Sequence, residues 1–231
     1  MNMESLYQLT TAHSLTAMVS FSLEKVIELP RDFDQQKKKV IRKLALFDVE
    51  REKLFRQLDN AEIWYMPLKG VVLKDYYPRY GMREMSDNDI LCDVERMSDV
   101  KRIMESQGFQ CTEYGKRVDD IYFKFPLTFE MHRYLFDKNE LESLYSYFKN
   151  IKEKLLLVDD SRYEYRFTPE DLYVYLTAHE YKHFIHGGTG IRSLLDTYVF
   201  LKHNNKELYY YSIKRFKIRN QCGIMYTVMK R

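Results

Sequence analysis

Ser86-Asp87-Asn88-Asp89-Ile90-Leu91-Cys92-Asp93-Val94 is the stretch on which the fold turns. An acidic triplet runs straight into three apolar residues, which reads as a strand expected over Ser86 to Val94. Side chains on a strand alternate with a period of two, so Asp87 and Asp89 are expected on one side. Asn88 then faces the core side, where its amide needs a partner or some exposure. Two neighbouring carboxylates repel unless a positive charge sits between them. A Mg²⁺ ion meets that need, because it prefers carboxylate oxygen and keeps coordination positions open for phosphates. Taken alone, an Asp-x-Asp triplet reads equally as a solvated acidic turn.

Upstream, Ile63 to Leu68 is a short apolar run that reads as a buried strand ending at Lys69-Gly70. Helical spacing resumes from Val71 to Tyr77 and stops at Pro78. A glycine between strand and helix lets backbone N–H groups approach a phosphate, and Lys69 adds a point charge. Downstream, Met97 to Gln107 reads as a helix closed by Gly108. Ile121 to Phe125 and Leu127 to Tyr134 read as paired strands joined around Pro126. On the second of these, Thr128, Glu130 and His132 share one face, while Phe129 and Met131 face the core. Glu130 is thus a third carboxylate on the sheet face of the aspartates, or else a surface residue paired with a lysine.

Beyond this core the chain reads as helical. Residues 4 to 60 carry apolar residues at three- and four-residue steps, broken at Pro30 and Asp32. Thr168-Pro169-Glu170-Asp171 is a helix start, with a capping hydroxyl, proline in the first turn and acids at the positive end. That helix is expected to reach Ile185 before Gly187-Gly188, with another from Gly190 to Lys202 and a third from Lys206 onward. The expected fold class is α+β: an N-terminal helical region over 1–60, an α/β core over 61–165 and a C-terminal helical region over 166–231.

Bulk properties narrow the partners. A net charge of +3 lacks the basic stripe that marks nucleic-acid binding. Cys92, Cys111 and Cys222 are too few and too scattered for a disulfide framework or a four-thiolate zinc site, and read as free thiols. No apolar run approaches the roughly 20 residues of a membrane span, and the N-terminus lacks a secretion signal. The expected location is the cytoplasm.

The histidines carry a separate reading. His179-Glu180-Tyr181-Lys182-His183 fits the H-E-x-x-H pattern of helical zinc hydrolases, with Glu180 as base and the histidines as ligands. The same residues, with His186 on the same helix face, read also as the wall of a cleft or as packing. Arg192 and Asp196 stand four apart and are expected to pair or to brace the cleft. Leu208-Tyr209-Tyr210-Tyr211 and the basic run Lys214 to Arg219 read as packing and a solvated helix face.

Pro67-Leu68-Lys69-Gly70, Tyr77-Pro78, Arg83 through Leu91 and Glu130-Met131-His132 together resemble the uncharacterised nucleotidyltransferase family, a branch of the polymerase-β-like nucleotidyltransferase superfamily. Ala178-His179 to Lys182-His183 and Ile191 to Asp196 match its helical part, and the resemblance spans roughly residues 40 to 205. The wider superfamily has Gly-Ser or Gly-Gly where Lys69-Gly70 stands, and an aliphatic residue where Asn88 stands. The resemblance implies a nucleotidyltransferase fold and transfer of a nucleoside monophosphate from a nucleoside triphosphate, such as ATP, to an unidentified hydroxyl acceptor. It implies that Asp87, Asp89 and Glu130 hold Mg²⁺ (or Mn²⁺) as the catalytic carboxylates. Lys69, Gly70, Arg83 and Ser86 then hold phosphates, and His132, His179, Lys182, His183 and Arg192 line a substrate cleft. A second function class, a non-catalytic nucleotide-binding module acting with a protein partner as in an antitoxin pair, uses the same site for binding alone.

Overall fold

The longest amphipathic run of the sequence folds into one 30-residue helix, Arg31–Asn60. It is α3 in the computed structural model, which describes residues 2–204. Its buried residues Phe33, Val40, Leu44, Phe47, Leu54 and Leu58 recur at three-, four- and seven-residue steps and form a single stripe. Ahead of it, the expected first helix is two helices, α1 (Met3–Ala12) and α2 (Thr16–Leu23). The break sits at Ser14, whose φ of 54° is left-handed. The Glu84 carboxylate, remote in sequence, then accepts a hydrogen bond from the Ala17 N–H at 2.8 Å and caps the start of α2.

A mixed five-stranded sheet follows, built from β1 (Tyr65–Pro67), β2 (Asn88–Cys92), β3 (Gln110–Glu113), β4 (Asp119–Lys124) and β5 (Leu127–His132). Its order is β1-β2-β5-β4-β3. The β2–β5 pair is parallel, and the other three pairs are antiparallel. The strand expected over Ser86–Val94 is thus shorter at both ends. Lys43 Nζ donates to the Ser86 carbonyl at 2.9 Å, which takes that end out of the ladder. At the other end the Asp93 N–H still donates to the Trp64 carbonyl at 3.2 Å before the Asp93 carboxylate accepts from the Glu95 N–H. Asp87 therefore precedes the strand instead of standing on it. The edge strand β3 gave no readable signal in the sequence, since its four residues lack any fully buried position.

All five residues of β2 are buried, because both faces of the sheet are covered. Asn88, Ile90, Cys92, Phe129 and Met131 face α3 and α5 (Met97–Ser106). On that side the Asn88 Oδ1 accepts from Arg51 Nη1 at 3.0 Å, which satisfies the amide oxygen, while the buried Nδ2 has no partner among the described residues. Leu91 faces the opposite way, into a second core built on α6 (Glu142–Phe148), α7 (Pro169–His186) and α8 (Ile191–Asn204). Helix α7 begins as its sequence dictates: the Thr168 hydroxyl accepts from the Asp171 N–H at 3.1 Å, and Gly187, at φ 146°, ends it.

Between β1 and β2 the chain makes the short helix α4 (Lys69–Leu73) and a 3₁₀ turn over Lys74–Tyr76, in place of one helix from Val71 to Tyr77. α6 and a small antiparallel pair, β6 (Leu156–Leu157) with β7 (Tyr165–Arg166), are further elements that periodicity did not reveal. The third C-terminal helix expected from Lys206, the Tyr209–Tyr211 run, the basic run Lys214–Arg219 and Cys222 lie outside the described residues. Among those described, no helix is long and apolar enough to cross a membrane. Cys92 and Cys111 are free.

Candidate functional site

The parallel pairing of β2 with β5 sets Asp89 directly beside Glu130, and Leu91 beside His132. Because alternation is strict on both strands, Asp89, Glu130 and His132 all face the side of α7. Ligand atoms from these three residues lie within 4.8 Å of one another. Among the described residues no other group of three His, Cys, Asp or Glu side chains comes that close.

Asp89 is 3% exposed and doubly tied. Lys69 Nζ donates to its Oδ1 at 2.7 Å, and His132 Nε2 lies 3.0 Å from the same oxygen. Burial works to raise the Asp89 carboxyl, but Lys69 and His132 outweigh it and hold the group well below the usual carboxylate range. Glu130 behaves in the opposite way. Burial, with the charges of Asp89 and Asp87 added, pushes its carboxyl up to about 8. Lys69 and His132 thus satisfy the charge of Asp89, and a second negative charge at Glu130 is opposed by burial and by the aspartates.

Asp87, placed one residue ahead of β2, lines the same cleft, and its Oδ2 accepts from the Ser86 hydroxyl at 2.8 Å. Its charge reaches Glu130, but it stands outside the close three-residue group.

The turn into α4 differs from the phosphate cradle expected of Lys69-Gly70. Lys69 has a left-handed φ of 42°, a conformation that costs a side-chain-bearing residue about 1–2 kcal/mol. Its ion pair with Asp89 holds the residue there. The space in front of Gly70 is filled, since a Cβ on it would lie 2.4 Å from Arg83 Nη1. Arg83 is itself committed: its guanidinium forms a bidentate pair with Asp196, Nε to Oδ1 at 2.9 Å and Nη2 to Oδ2 at 2.8 Å. Tyr77 donates to Asp196 Oδ1 at 2.7 Å. Of the two readings of Arg192 and Asp196, the mutual pair does not form among the described residues, and each instead ties α8 to the segment ahead of β2. Asp196 goes to Arg83, and Arg192 Nη1 donates to the Glu84 carbonyl at 3.1 Å.

On α7, His179 and His183 meet edge to face one turn apart, with their Nε2 atoms 3.2 Å from each other. Burial lowers both imidazole pKa values, His179 the more strongly, and the Lys69 and Lys182 cations add to the effect. Glu180 turns away from them toward α8, where it accepts from the Thr197 hydroxyl at 3.0 Å. Burial pushes its carboxyl up to about 7. The H-E-x-x-H residues thus do not gather as zinc ligands with a base, because Glu180 lies on the α8-facing side of the helix.

These groups line one cleft of about 830 Å³ between the sheet and α7–α8. Lys69, Gly70, Arg83, Ser86, Asp87, Asp89, Glu130, His132, His179, Lys182, His183 and Arg192 all border it. Asp119 borders it too and escaped the sequence reading. It sits across from His132 in the β4–β5 register, a pairing no local pattern reveals. Tyr175, buried on α7, and Asp137 also line the cleft without a sequence signal.

Two solved structures share this architecture. The solution structure of the antibiotic-resistance factor ANT(2'')-Ia aligns with a TM-score of 0.53 at 11% identity, covering 73% of this chain and 89% of that chain. The crystal structure of ANT(2'')-Ia in complex with adenylyl-2''-tobramycin aligns with the same TM-score and identity, covering 74% of this chain and 97% of that one. Among curated proteins no match is found. The sequence profile of the uncharacterised nucleotidyltransferases matches residues 1–217, and the chain therefore belongs to the uncharacterised nucleotidyltransferase family, a class of transferases.

Proposed function

We propose that the chain moves a nucleoside monophosphate from a nucleoside triphosphate to a hydroxyl acceptor with the help of Mg²⁺ or Mn²⁺. The observation that carries this reading is the register-locked group Asp89, Glu130 and His132, with Asp87 nearby, at the floor of a cleft lined with cations. The residues fit a hard divalent cation. Burial together with the charges of Asp89 and Asp87 holds the Glu130 carboxyl protonated, and its oxygens lie beside those of Asp89, a paired oxygen-donor set. Asp89 and Glu130, with Asp87, would hold the cation, which would supply charge neutralisation for the phosphates at the reacting centre. ANT(2'')-Ia, crystallised with adenylyl-2''-tobramycin, supplies a precedent in the same fold for a nucleotidylated small molecule.

In the reaction the acceptor oxygen bonds to the α-phosphorus. The bond from that phosphorus to the bridging oxygen breaks, pyrophosphate leaves with its electron pair, and the hydroxyl proton passes to water. Lys69 keeps Asp89 ionised and fixed, so the charge of the floor is set before substrate arrives. The sheet and the two helices orient the reactants, which is the larger part of what a protein does in phosphoryl transfer.

Calorimetric titration of ATP, GTP, CTP and UTP, with and without Mg²⁺, tests the reading on wild type and on Asp87→Ala/Asp89→Ala. One triphosphate should bind in a Mg²⁺-dependent way, and the double variant should lose that binding. A folded wild type that binds none of the four refutes the proposal.

Glu130 makes a second prediction, on stability. Its carboxyl is raised from 4.5 to about 8 in the folded chain. A raised carboxyl favours the folded state at low pH, and that contribution disappears as pH climbs through 8. Glu130→Gln is therefore expected to stabilise the metal-free protein at pH 9. The gain is about 2 kcal/mol once the solvent-reached part of the side chain is allowed for, or on the order of 5 °C in Tm. The difference from wild type should vanish near pH 4.5. Mg²⁺ should raise the Tm of wild type and leave Glu130→Gln unmoved. Equal melting of the two metal-free proteins at pH 9 would contradict the raised Glu130 carboxyl.

A further inference from the structure

The residues expected to cradle phosphate are largely committed elsewhere. Lys69 is paired with Asp89, Arg83 is locked to Asp196, and Gly70 is blocked by the Arg83 guanidinium. A triphosphate nonetheless brings several negative charges, and a divalent cation at Asp89 and Glu130 offsets only part of them. The cleft must supply further cations. Lys182 on α7 and Arg192 on α8 both line it, and neither forms an ion pair with a carboxylate among the described residues. Arg192 has one hydrogen bond, to the Glu84 carbonyl, which leaves most of its five donors available. A side recess of about 220 Å³ between α7 and α8, bordered by Lys69, His183 and Arg192, adjoins the main cleft.

We propose that Lys182 and Arg192 form the polyphosphate-binding end of this cleft, taking the β- and γ-phosphates of a nucleoside triphosphate and retaining pyrophosphate after transfer. The identity of the anion rests on the nucleotidyl-transfer reading; the anion site itself rests on the cations. The site's polarity follows from the fold. The sheet contributes carboxylates at the floor, and the end of α7 and the start of α8 contribute nitrogen donors opposite them. The His179–His183 pair lies beside Lys182 and adds imidazole nitrogens to the same wall. Of the carboxylates that border the side recess, Asp196 is neutralised by Arg83 and Glu180 is engaged by Thr197, while Asp119, Asp137 and Glu140 line the main cleft. Neither Asp196 nor Glu180 offers an unpaired negative charge to repel a phosphate chain. Guanidinium and ammonium groups on phosphate make charge-assisted hydrogen bonds, and each is expected to contribute about tenfold in affinity.

The test is calorimetric titration of the full chain with inorganic tripolyphosphate, with the triphosphate that binds best, and with its monophosphate. Lys182→Gln/Arg192→Gln should bind tripolyphosphate about a hundredfold more weakly than wild type. Monophosphate affinity should change less than about threefold, and Lys182→Arg/Arg192→Lys should recover most of the loss. Lys182→Gln alone breaks no bond of the folded protein among the described residues and should still lose about tenfold. Wild-type affinity for tripolyphosphate in a double variant with an unchanged Tm overturns the proposal. So does a wild type that does not bind tripolyphosphate. Loss in the double variant, together with Mg²⁺-independent nucleotide binding in Asp89→Asn, supports the anion site while removing the transfer reading from it.

Discussion

Asp89→Asn should lower the rate of Mg²⁺-dependent pyrophosphate release by about 10²–10³-fold and weaken Mn²⁺ binding by about a hundredfold. The change is almost isosteric, so packing survives and the charge alone is removed. Asp89 is the residue on which the floor converges: Lys69 and His132 both reach its Oδ1, and Glu130 stands beside it across the parallel ladder. Removing its charge takes a carboxylate from the cation and the counter-ion from Lys69. It also lowers the like-charge burden on Glu130, whose carboxyl should titrate below its present value of about 8. Following that titration by carboxyl-resolved NMR or by the pH dependence of Mn²⁺ binding separates an electrostatic role from a merely structural one. Wild-type Mn²⁺ affinity in Asp89→Asn would place the metal elsewhere.

The second large effect is expected far from the acids. Asp196→Ala should destabilise the protein by about 3–5 kcal/mol, measured by urea unfolding, because it leaves the Arg83 guanidinium buried without a counter-charge. Arg83 and Asp196 are 6% and 7% exposed, and Tyr77 hydrogen-bonds the same carboxylate. The pair ties α8 to the loop that leads into β2, and Arg83 in turn packs against Gly70 at the head of α4. Through this contact the C-terminal helices set the position of the β1–α4 turn on which Lys69 stands. Arg83→Met/Asp196→Leu should recover much of the loss, since an apolar pair of similar volume leaves no orphaned charge. If that double variant also binds triphosphate normally, Arg83 acts as a brace and not as a phosphate ligand. A cost below about 1 kcal/mol for Asp196→Ala would refute the brace.

The amino-acid sequence by itself determined whatever depends on near neighbours. Helix α3 follows from its apolar stripe, the start of α7 from Thr168-Pro169, and its end from Gly187-Gly188. Alternation on β5 separated Glu130 and His132 from Phe129 and Met131, and alternation on β2 set Asn88 on the face opposite Asp89. These are properties of local periodicity and backbone conformation, so a linear reading reaches them.

Tertiary structure decided the pairings. The β2–β5 register, which makes Asp89 and Glu130 neighbours, joins residues 41 apart and leaves no local trace. Arg83 was open to a phosphate, and Asp196 to Arg192, until packing of α8 joined Arg83 to Asp196 across 113 residues. Glu180 read as the base of a zinc motif, yet the crossing of α7 with α8 turned it to Thr197. Spacing places side chains on a face of a helix or strand. Which charge that face meets is set by long-range packing, where the low dielectric makes each buried ion take the nearest partner and excludes the rest.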